Sequence, residues 1–402
     1  MNNVTEKFIY FDNIATTKPD NRVIEAMKPF WSERFGNPSS FYTFGSEIND
    51  EINESRKKVA ELLNAELSEI YFTSSGTESN NWAIKGYCFA NRKKGKHIII
   101  SAVEHYSVSH TAESLKQSGF EISIAPVDRD GIIDIDEFKK LIRDDTILVS
   151  INFANSEVGT LQPIKEITDI LKEKKIAFHT DAVQSVGHYP INVKELGIDM
   201  LGLTGHRFYG PKGIGALFIR KGIRVLPLIH GGIQESGKRA GTENVPGIVG
   251  LGKAAEIAKS EMDEYIPKLI KLRNKLTKGI TEKIDHVKLN GHQNKRLPNH
   301  INLSYEFLEG ESILMMINLK GVAAASGSAC QSKALKASQA LTAMGVSVEL
   351  AHGSILFSLG KYNTEEEVDF VIQEMPAIIE KLRMMSPLYH KYLKEKKEKQ
   401  KT

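Results

Sequence analysis

The sequence predicts an α/β protein, and three observations lead to this prediction. From about residue 70, short apolar runs alternate with segments of helical periodicity, which is typical of parallel strands joined by crossover helices. Five of the eight residues of Thr146–Phe153 are apolar, which is enough for a strand buried on both faces. The 402 residues, of which 41% are hydrophobic and 26% charged, provide enough material for a sizeable core. We therefore expect a mostly parallel sheet in a chain of two or three domains.

The predicted elements of this sheet follow one another from residue 70. We expect strands at Ile70–Thr73, His97–Ser101, Thr146–Phe153, Ile176–Thr180, Met200–Thr204 and Gly215–Ile219. Glu78–Ala90 is predicted to be a helix. Pro163 opens another helix, because proline is favoured at the first helical position. Ile164, Ile167, Ile170 and Leu171 lie on one face of that helix.

The last third of the chain changes character. Glu311–Leu319 is predicted as a helix, Val322–Ala325 as a strand and Ser326–Cys330 as a loop. Thr364 and Glu367 form the pattern of a capping box ahead of an amphipathic helix. We predict three parts: a large α/β domain of residues 15–260, a smaller α+β domain of residues 1–14 and 261–390, and a basic tail of residues 391–402.

Charge and composition exclude several classes of protein. The net charge of +3 comes from the tail, which carries +4, so the other 390 residues sum to −1. A near-neutral body is not typical of a nucleic-acid binder, whose basic residues cover one face. No apolar run reaches the ~18–20 residues of a membrane span, and the start lacks a hydrophobic signal core. We expect a cytoplasmic protein with a disordered tail, a docking tail being the alternative.

Three segments that follow predicted strands carry candidate binding groups. Small residues in Ser74–Glu78 would let backbone amides approach an anion at a helix N-terminus, although a plain helix cap explains the same residues. Asp181 comes where a parallel sheet presents its binding groups, and its carboxylate suits a cationic heterocyclic nitrogen. A helix cap is again the alternative. Thr204–Gly213 ends another strand and is dense in polar and turn residues.

The two cysteines have different expected roles. They are too few for a disulfide framework or a four-cysteine metal site. Cys88 lies among apolar residues of a helix and is predicted to be core, whereas Cys330 lies in a small polar loop and is the reactive candidate. The histidines lack metal-binding spacing. His105 follows a strand and is a site candidate, with a structural hydrogen-bonding role as the alternative.

Taken together, these segments resemble the cysteine desulfurases of the NifS/IscS type, which are pyridoxal-phosphate enzymes. The resemblance covers nearly the whole chain, and its strength lies in many short motifs in order. The motifs are Tyr10–Asn13, Ala15–Thr17, Phe35–Ser40, Phe72–Asn81, Glu104-His105, Gln162–Ile164, His179–Gln184, Tyr209–Gly213, Arg239–Asn244, Arg296–Asn299, Ser326–Cys330 and Ser358–Gly360. The resemblance implies a homodimer with the aspartate-aminotransferase fold, whose large domain holds a seven-stranded sheet.

The resemblance also implies residue roles around pyridoxal 5′-phosphate. Gly76 and Thr77 would bind its phosphate with Thr204 and His206, and Thr242 would reach a phosphate across the dimer interface. The remaining implied roles form one set: Asp181 pairs with the pyridinium nitrogen, Gln184 hydrogen-bonds the phenolic oxygen, His105 stacks on the ring and moves protons, and Cys330 takes sulfur from L-cysteine as a persulfide. The products are alanine and sulfur for iron–sulfur cluster or thio-cofactor assembly.

Three positions depart from the family's pattern at its chemical centre. Arg207 stands where the family has the Schiff-base lysine, and a guanidinium with a pKa above about 12 cannot form that link or move the α-proton. Leu356 replaces the arginine that clamps the substrate carboxylate. Ser156 replaces an asparagine that contacts the phenolic oxygen. Lys212, the only lysine of the Arg207 loop, belongs to a Gly-Pro-Lys-Gly turn and is a less favoured replacement base.

Three hypotheses about function remain open at this stage. The first is a cysteine desulfurase whose unaided catalysis the three replacements argue against, with pyridoxal phosphate bound non-covalently. The second is a non-catalytic sulfur relay or iron–sulfur scaffold, in which Cys330 accepts persulfide or ligates a cluster beside a partner. A pyridoxal-phosphate enzyme with another substrate ranks last. The expected partners are L-cysteine and a sulfur-acceptor or scaffold protein, with no nucleic acid and no membrane.

Overall fold

A seven-stranded sheet forms the centre of the molecule in a computed structural model that describes residues 8–326 and 337–399. The strands are β1 Ile9–Tyr10, β2 Ile70–Thr73, β3 His97–Ser101, β4 Glu121–Ala125, β5 Thr146–Ser150, β6 Ala177–Asp181, β7 Met200–Thr204, β8 Gly215–Ile219, β9 Val287–Asn290, β10 His300–Tyr305, β11 Val322–Ala323, β12 Ala325–Ser326 and β13 Ser354–Ser358.

The helices lie between and after these strands. They are α1 Asn21–Met27, α2 Pro29–Ser32, α3 Thr43–Leu63, α4 Gly76–Asn81, α5 Tyr87–Asn91, α6 Tyr106–Leu115, α7 Ile135–Leu141, α8 Ile164–Lys174, α9 Val193–Leu196, α10 Gln234–Gly237, α11 Val245–Lys283, α12 Gly310–Asn318, α13 Gln339–Ala343, α14 Val348–His352, α15 Glu365–Met385 and α16 Pro387–Lys399. In the described part of the chain, none of them is both long and apolar enough to cross a membrane.

The strand order of the large sheet brings most carboxyl ends to one edge. The order is β2-β8-β7-β6-β5-β3-β4, in which β8 alone runs antiparallel to its neighbours. The other six strands point the same way, as the alternation of strands and helices predicted. Strands β2, β3, β5, β6 and β7 therefore all end at one edge, where such sheets bind ligands.

Both faces of this sheet are buried because its strands are apolar at successive positions. In β8, Ala216 and Phe218 pack into the core on one face, while Leu217 and Ile219 pack into the core on the other. Helices α3, α8 and α11 cover the first face. The second is covered by α6 and by the helical run from α4 to α5. The predicted α/β architecture is confirmed.

A second, antiparallel sheet of order β12-β13-β10-β9 lies in the later part of the chain. The N-terminal strand β1 pairs in parallel with β11 beside it. Helix α11 connects the two parts, because its residues up to Ala258 pack in the large-sheet core and those from Tyr265 to Ile280 pack in the second core.

Several predicted elements differ in detail. The helix expected at Glu78–Ala90 begins at Gly76 and contains a π-helical turn at Trp82–Gly86. The strand expected at Thr146–Phe153 ends at Ser150. The strand expected at Val322–Ala325 is two short strands, because Val322–Ala323 pairs with β1 and Ala325–Ser326 pairs with β13.

The tail also differs from the expectation of disorder. Within residues 391–402, the described part continues α16 as far as Lys399. The start of this helix is held by aromatic packing, since Tyr389 and Tyr392 lie against Phe307 with ring centroids 5.6 and 4.8 Å away.

Candidate active site

Five strands of the large sheet deliver polar groups to the same edge. Strand β2 leads to Gly76, β3 to His105, β5 to Ser156, β6 ends in Asp181, and β7 leads through Thr204 to Arg207. A cavity at this edge is lined by nine of the eleven predicted site residues: Gly76, Thr77, His105, Ser156, Asp181, Gln184, Thr204, His206 and Arg207. The sequence-based expectation that these residues lie together therefore agrees with the geometry.

Of the other two predicted site residues, only Thr242 lies in the described part of the chain, and it is not among the residues that line the cavity. Thr242 is exposed in the loop before α11, and a role across a dimer interface stays a prediction. Cys330 lies outside the described residues, as does most of the predicted loop Ser326–Cys330.

The turn at the start of α4 is shaped by an absent side chain. A Cβ at Gly76 would lie 2.3 Å from Val183 Cγ2, so a side chain there would require Val183 to move. Ser75 caps the helix by accepting a hydrogen bond from the Glu78 amide at 3.2 Å. Glu78 in turn accepts from the Ser74 amide and from Arg239, and these contacts lower its pKa although burial opposes them. The Ser75 cap and the contacts of the Glu78 carboxylate thus both hold the turn in place.

The Asp181 carboxylate is buried and held by two donors. Its Oδ1 accepts from the Val183 amide at 3.0 Å, and its Oδ2 accepts from Asn80 Nδ2 at 2.8 Å. Asn80 also lines the cavity, although the sequence analysis did not single it out. The contact with Asp181 crosses 101 residues of sequence, so no local pattern reveals it.

His105 is oriented by the helix that follows it. It is the N-cap of α6, and its Nδ1 accepts from the Ser107 amide at 3.1 Å. The same nitrogen lies 2.8 Å from Ser107 Oγ. Ser107 also lines the cavity and is a second residue that sequence reasoning missed.

The loop after β7 places a neutral histidine beside a fixed cation. Burial, together with the charges of Arg207 and Lys212, lowers the pKa of His206 to about 4. The Thr204 hydroxyl donates to the Ile214 carbonyl at 2.8 Å. The Arg207 carbonyl lies 2.9 Å from His188 Nε2. Lys212, the less favoured replacement base, is exposed and is not among the residues that line the cavity.

A second cavity adjoins the first. The two share His105, Ser156, Gln184 and Arg207, and Leu356 lines the second. Arg207 is the only lysine or arginine among the described residues that line it. The position that the resemblance assigns to the substrate-clamping arginine is thus occupied by an apolar side chain at this cavity. Ser326 and Gln339, on either side of residues 327–336, also line this cavity.

Three carboxyl groups of the second cavity have raised pKa values. Burial raises the pKa of Asp12, while the Ala15 amide and the Arg207 charge oppose this effect. Burial also raises the pKa of Glu104 well above its usual range, although its Oε1 accepts from the Asn152 amide at 2.7 Å. Burial raises the pKa of Glu157 to about 7, against a hydrogen bond from Ser338. None of the three was predicted as a site residue.

These residues fit pyridoxal phosphate but not a covalent link to it. The glycine turn suits a phosphate, the buried Asp181 carboxylate suits a cationic ring nitrogen, and the Gln184 amide can donate to a phenolic oxygen. Position 207 supplies a guanidinium, which does not act as an amine nucleophile at neutral pH.

The remaining predictions concern cysteine and metal. Cys88 is fully buried, as predicted, and burial raises the pKa of its thiol. Among the described residues, no group of three or more potential ligands is arranged to hold a metal ion.

Comparison with known proteins identifies relatives over nearly the full chain. Residues 9–371 match the family model for class V aminotransferases. A cysteine desulfurase IscS from Methanosarcina thermophila is 56% identical over 382 residues, covering 95% of this chain and 94% of that protein. A solved NifS-like protein is 40% identical with a TM-score of 0.88, covering 93% of this chain and all of that one. The structure of SspA in complex with cysteine is 35% identical with a TM-score of 0.79, covering 89% of this chain and all of that one.

Proposed function

The chain belongs to the class V aminotransferase family and has the fold of its pyridoxal-phosphate-dependent transferases, and from this premise we propose a more specific function. The protein binds pyridoxal 5′-phosphate non-covalently and mobilises sulfur from L-cysteine for iron–sulfur cluster or thio-cofactor assembly. It acts as a cytoplasmic homodimer and delivers sulfur to a scaffold or other acceptor protein. Its similarity to cysteine desulfurases and to SspA, which was solved in complex with cysteine, supports this proposal.

The side chains of the first cavity would hold the cofactor in one orientation. Gly76 and Thr77, with Thr204 and His206, would bind the phosphate. The other contacts form one set: Asp181 with the ring nitrogen, Gln184 and Ser156 near the phenolic oxygen, and His105 stacked on the ring. When bound, the cofactor supplies an electron sink for bonds next to the substrate nitrogen. A ring nitrogen of His206 can donate a hydrogen bond to a phosphate oxygen.

Cys330 would take up the sulfur atom. The C–S bond of cysteine breaks and an S–S bond forms on Cys330, while the carbon gains a proton and leaves as alanine. Cysteine and a thiol thus give alanine and a persulfide, so that atoms and electrons balance. Cys330 follows Ser326 by four positions in the sequence, and Ser326 lines the second cavity.

The observation that carries the proposal is the convergence of nine predicted residues, including Arg207, on one cavity. A guanidinium there cannot provide the amine that tethers the cofactor, and it is a poor base at neutral pH. We therefore expect binding without a covalent link, and turnover that depends on a partner or another amine.

A titration followed by borohydride reduction tests this function. We expect the visible spectrum to change when pyridoxal phosphate is added, and borohydride to leave no adduct at position 207. The matched variant Arg207→Lys should acquire an adduct at that position and release more alanine from cysteine. A spectrum unchanged by the cofactor, or an adduct on Lys212 in the unsubstituted chain, would contradict the proposal.

A second candidate is a non-catalytic sulfur relay or iron–sulfur scaffold that uses Cys330. Two features favour it: Leu356 cannot pair with a substrate carboxylate, and the guanidinium at position 207 cannot act as the tethering amine. We expect such a chain to release no alanine under any partner condition, yet to lose cluster delivery in the assembled system on Cys330→Ala. Delivery that is unchanged by that substitution would exclude this candidate.

A further inference from the structure

We propose that Asn80 and Ser107 are positioning residues that fix the tautomer of His105 from the Asp181 carboxylate. Three hydrogen bonds join these four side chains in a row. Asn80 Nδ2 lies 2.8 Å from Asp181 Oδ2 and 2.8 Å from Ser107 Oγ. Ser107 Oγ lies 2.8 Å from His105 Nδ1. The row connects two predicted site residues that lie 76 positions apart in the sequence.

The direction of the hydrogen bonds follows from the carboxylate at one end. An ionised carboxylate only accepts, so Asn80 must present its amide nitrogen to Asp181. The second hydrogen of that nitrogen then points to Ser107 Oγ. Asn80 Oδ1 faces Gly202, where a Cβ would lie only 2.4 Å away, and accepts no hydrogen bond within the described part of the chain. Turning the amide over would place its oxygen against the carboxylate.

The orientation of the Asn80 amide also determines the direction of the hydrogen bond between Ser107 and the imidazole. Its hydroxyl accepts from Asn80 and therefore has its own hydrogen available for His105 Nδ1. The Ser107 amide donates to the same nitrogen at 3.1 Å. Nδ1 thus receives two donors and has no place for a proton of its own. The neutral ring is therefore the Nε2–H tautomer, which the Ser107 amide favours by itself and which the distant carboxylate favours further through Asn80 and the Ser107 hydroxyl.

The consequence for chemistry rests on the proposed function, in which Asp181 faces the ring nitrogen of the cofactor and His105 moves protons. In that setting, the group that holds the ring nitrogen also favours the imidazole tautomer that carries its proton on Nε2. Because Gly202 has no side chain, it leaves room for Asn80 in this position. Asn80 is fully buried, which keeps water from competing for its hydrogen bonds.

Nitrogen NMR of the histidine rings in the full chain, without added cofactor, tests the proposal. Comparison with His105→Gln assigns the His105 signals, and we expect them to report Nε2–H. Ser107→Ala removes one donor and should lower the ratio of Nε2–H to Nδ1–H by roughly fivefold, as expected for one hydrogen bond. Ser107→Thr retains a hydroxyl and should preserve the ratio. Ser109→Ala, on the same helix, is the matched control and should change nothing.

A comparison of single and double variants separates a role of Asn80 in setting the tautomer from a role in packing. Asn80→Ala should lower the same ratio although Asn80 does not touch His105, and it should have no further effect once Ser107→Ala is present. Gly202→Ala, which crowds Asn80, gives a second route should Asn80→Ala fail to fold. An Nδ1–H tautomer in the unsubstituted chain, or His105 signals that ignore both substitutions in folded protein, would overturn the proposal. Neither readout requires cofactor binding, so a failed function assay leaves it standing.

Discussion

Gly76 illustrates how one absent side chain shapes the candidate site. Its neighbour across the turn is Val183, which follows Asp181 by two residues and also lines the cavity. The close approach allows the start of α4 and the end of β6 to face the same space. A side chain at position 76 would therefore separate the predicted phosphate turn from the predicted ring-nitrogen partner.

We expect Gly76→Ala to weaken cofactor binding and to destabilise the fold. The added Cβ would lie 2.3 Å from Val183 Cγ2, and overpacking of this kind costs about 1–3 kcal/mol. Measurements of the thermal midpoint and of the Kd for pyridoxal phosphate check both effects. The double variant Gly76→Ala with Val183→Ala removes the clash and should recover most of the loss. A fully active single variant would show that the turn can move aside.

The sequence predicted the site residues that belong to recognisable motifs, but not the residues that hydrogen-bond to them or lie buried beside them. Asp181 ends β6 and Arg207 lies three residues after β7, so their place at the carboxyl edge could be predicted. Asn80, Glu104 and Glu157 could not be ranked, because their importance comes from partners distant in sequence and from burial. The chemical meaning of Arg207, by contrast, follows from the residue type alone.

At the scale of elements, the sequence predicts the strands that are continuous apolar runs. The buried strands β3 and β7 have the predicted bounds because each is a short apolar run. Local pattern does not reveal the π-helical turn at Trp82–Gly86, nor the split between β11 and β12. The split arises because neighbouring pairs of residues join different partner strands, and pairing is decided by tertiary structure.

The contact between the loop after β5 and the start of α13 should respond to pH. Ser338 caps α13 and donates to Glu157 Oε2 at 2.5 Å, while burial raises the pKa of Glu157 to about 7. The folded state therefore holds a proton that the unfolded state releases near pH 4.5, so this group costs stability as pH rises towards 7. The effect is on the order of 1–2 kcal/mol, since the side chain is partly exposed.

Glu157→Gln should remove this dependence. The amide keeps an acceptor for Ser338 but has no charge to bury, so the variant should gain stability relative to the unsubstituted chain as pH rises from 5 to 8. Thermal midpoints across that range measure the difference. Glu137→Gln, at the exposed pair with Lys140, is the control. If the thermal midpoints of the variant and of the unsubstituted chain change in parallel with pH, Glu157 does not titrate between pH 5 and 8.

At the scale of the whole molecule, one helix links two cores. α11 contributes Leu251 to the core of the large sheet and Leu272 to the second core. Asn299, just before β10, accepts from the Leu359 amide after β13, and Asn13 in the N-terminal segment donates to the Ser358 carbonyl. The N-terminal segment, the end of α11 and the C-terminal sheet therefore form one packed body beside the large sheet.

Burial of neutral histidines should make the whole molecule sensitive to acid. Burial lowers the pKa of His179 to about 3, of His188 to about 4 and of His300 to about 3. The unfolded chain takes up these protons below about pH 6.5, whereas the folded chain does not, so stability falls as pH drops from 6.5 towards 4. Each residue can contribute on the order of 2–3 kcal/mol, which exceeds the opposing effect of Glu157 over the same range.

Thermal midpoints between pH 4.5 and 7 check this expectation, and His179→Gln isolates one contribution. His179 lies in β6 with Nδ1 2.8 Å from Ser150 Oγ, a contact that a glutamine amide can replace. The variant should therefore lose less stability than the unsubstituted chain on acidification, even where it is less stable at pH 7. The exposed His110 provides the control, His110→Gln. An unchanged pH dependence in His179→Gln would mean that acid acts through other groups, and the neutral state of His179 would then have no part in holding β5 and β6 together.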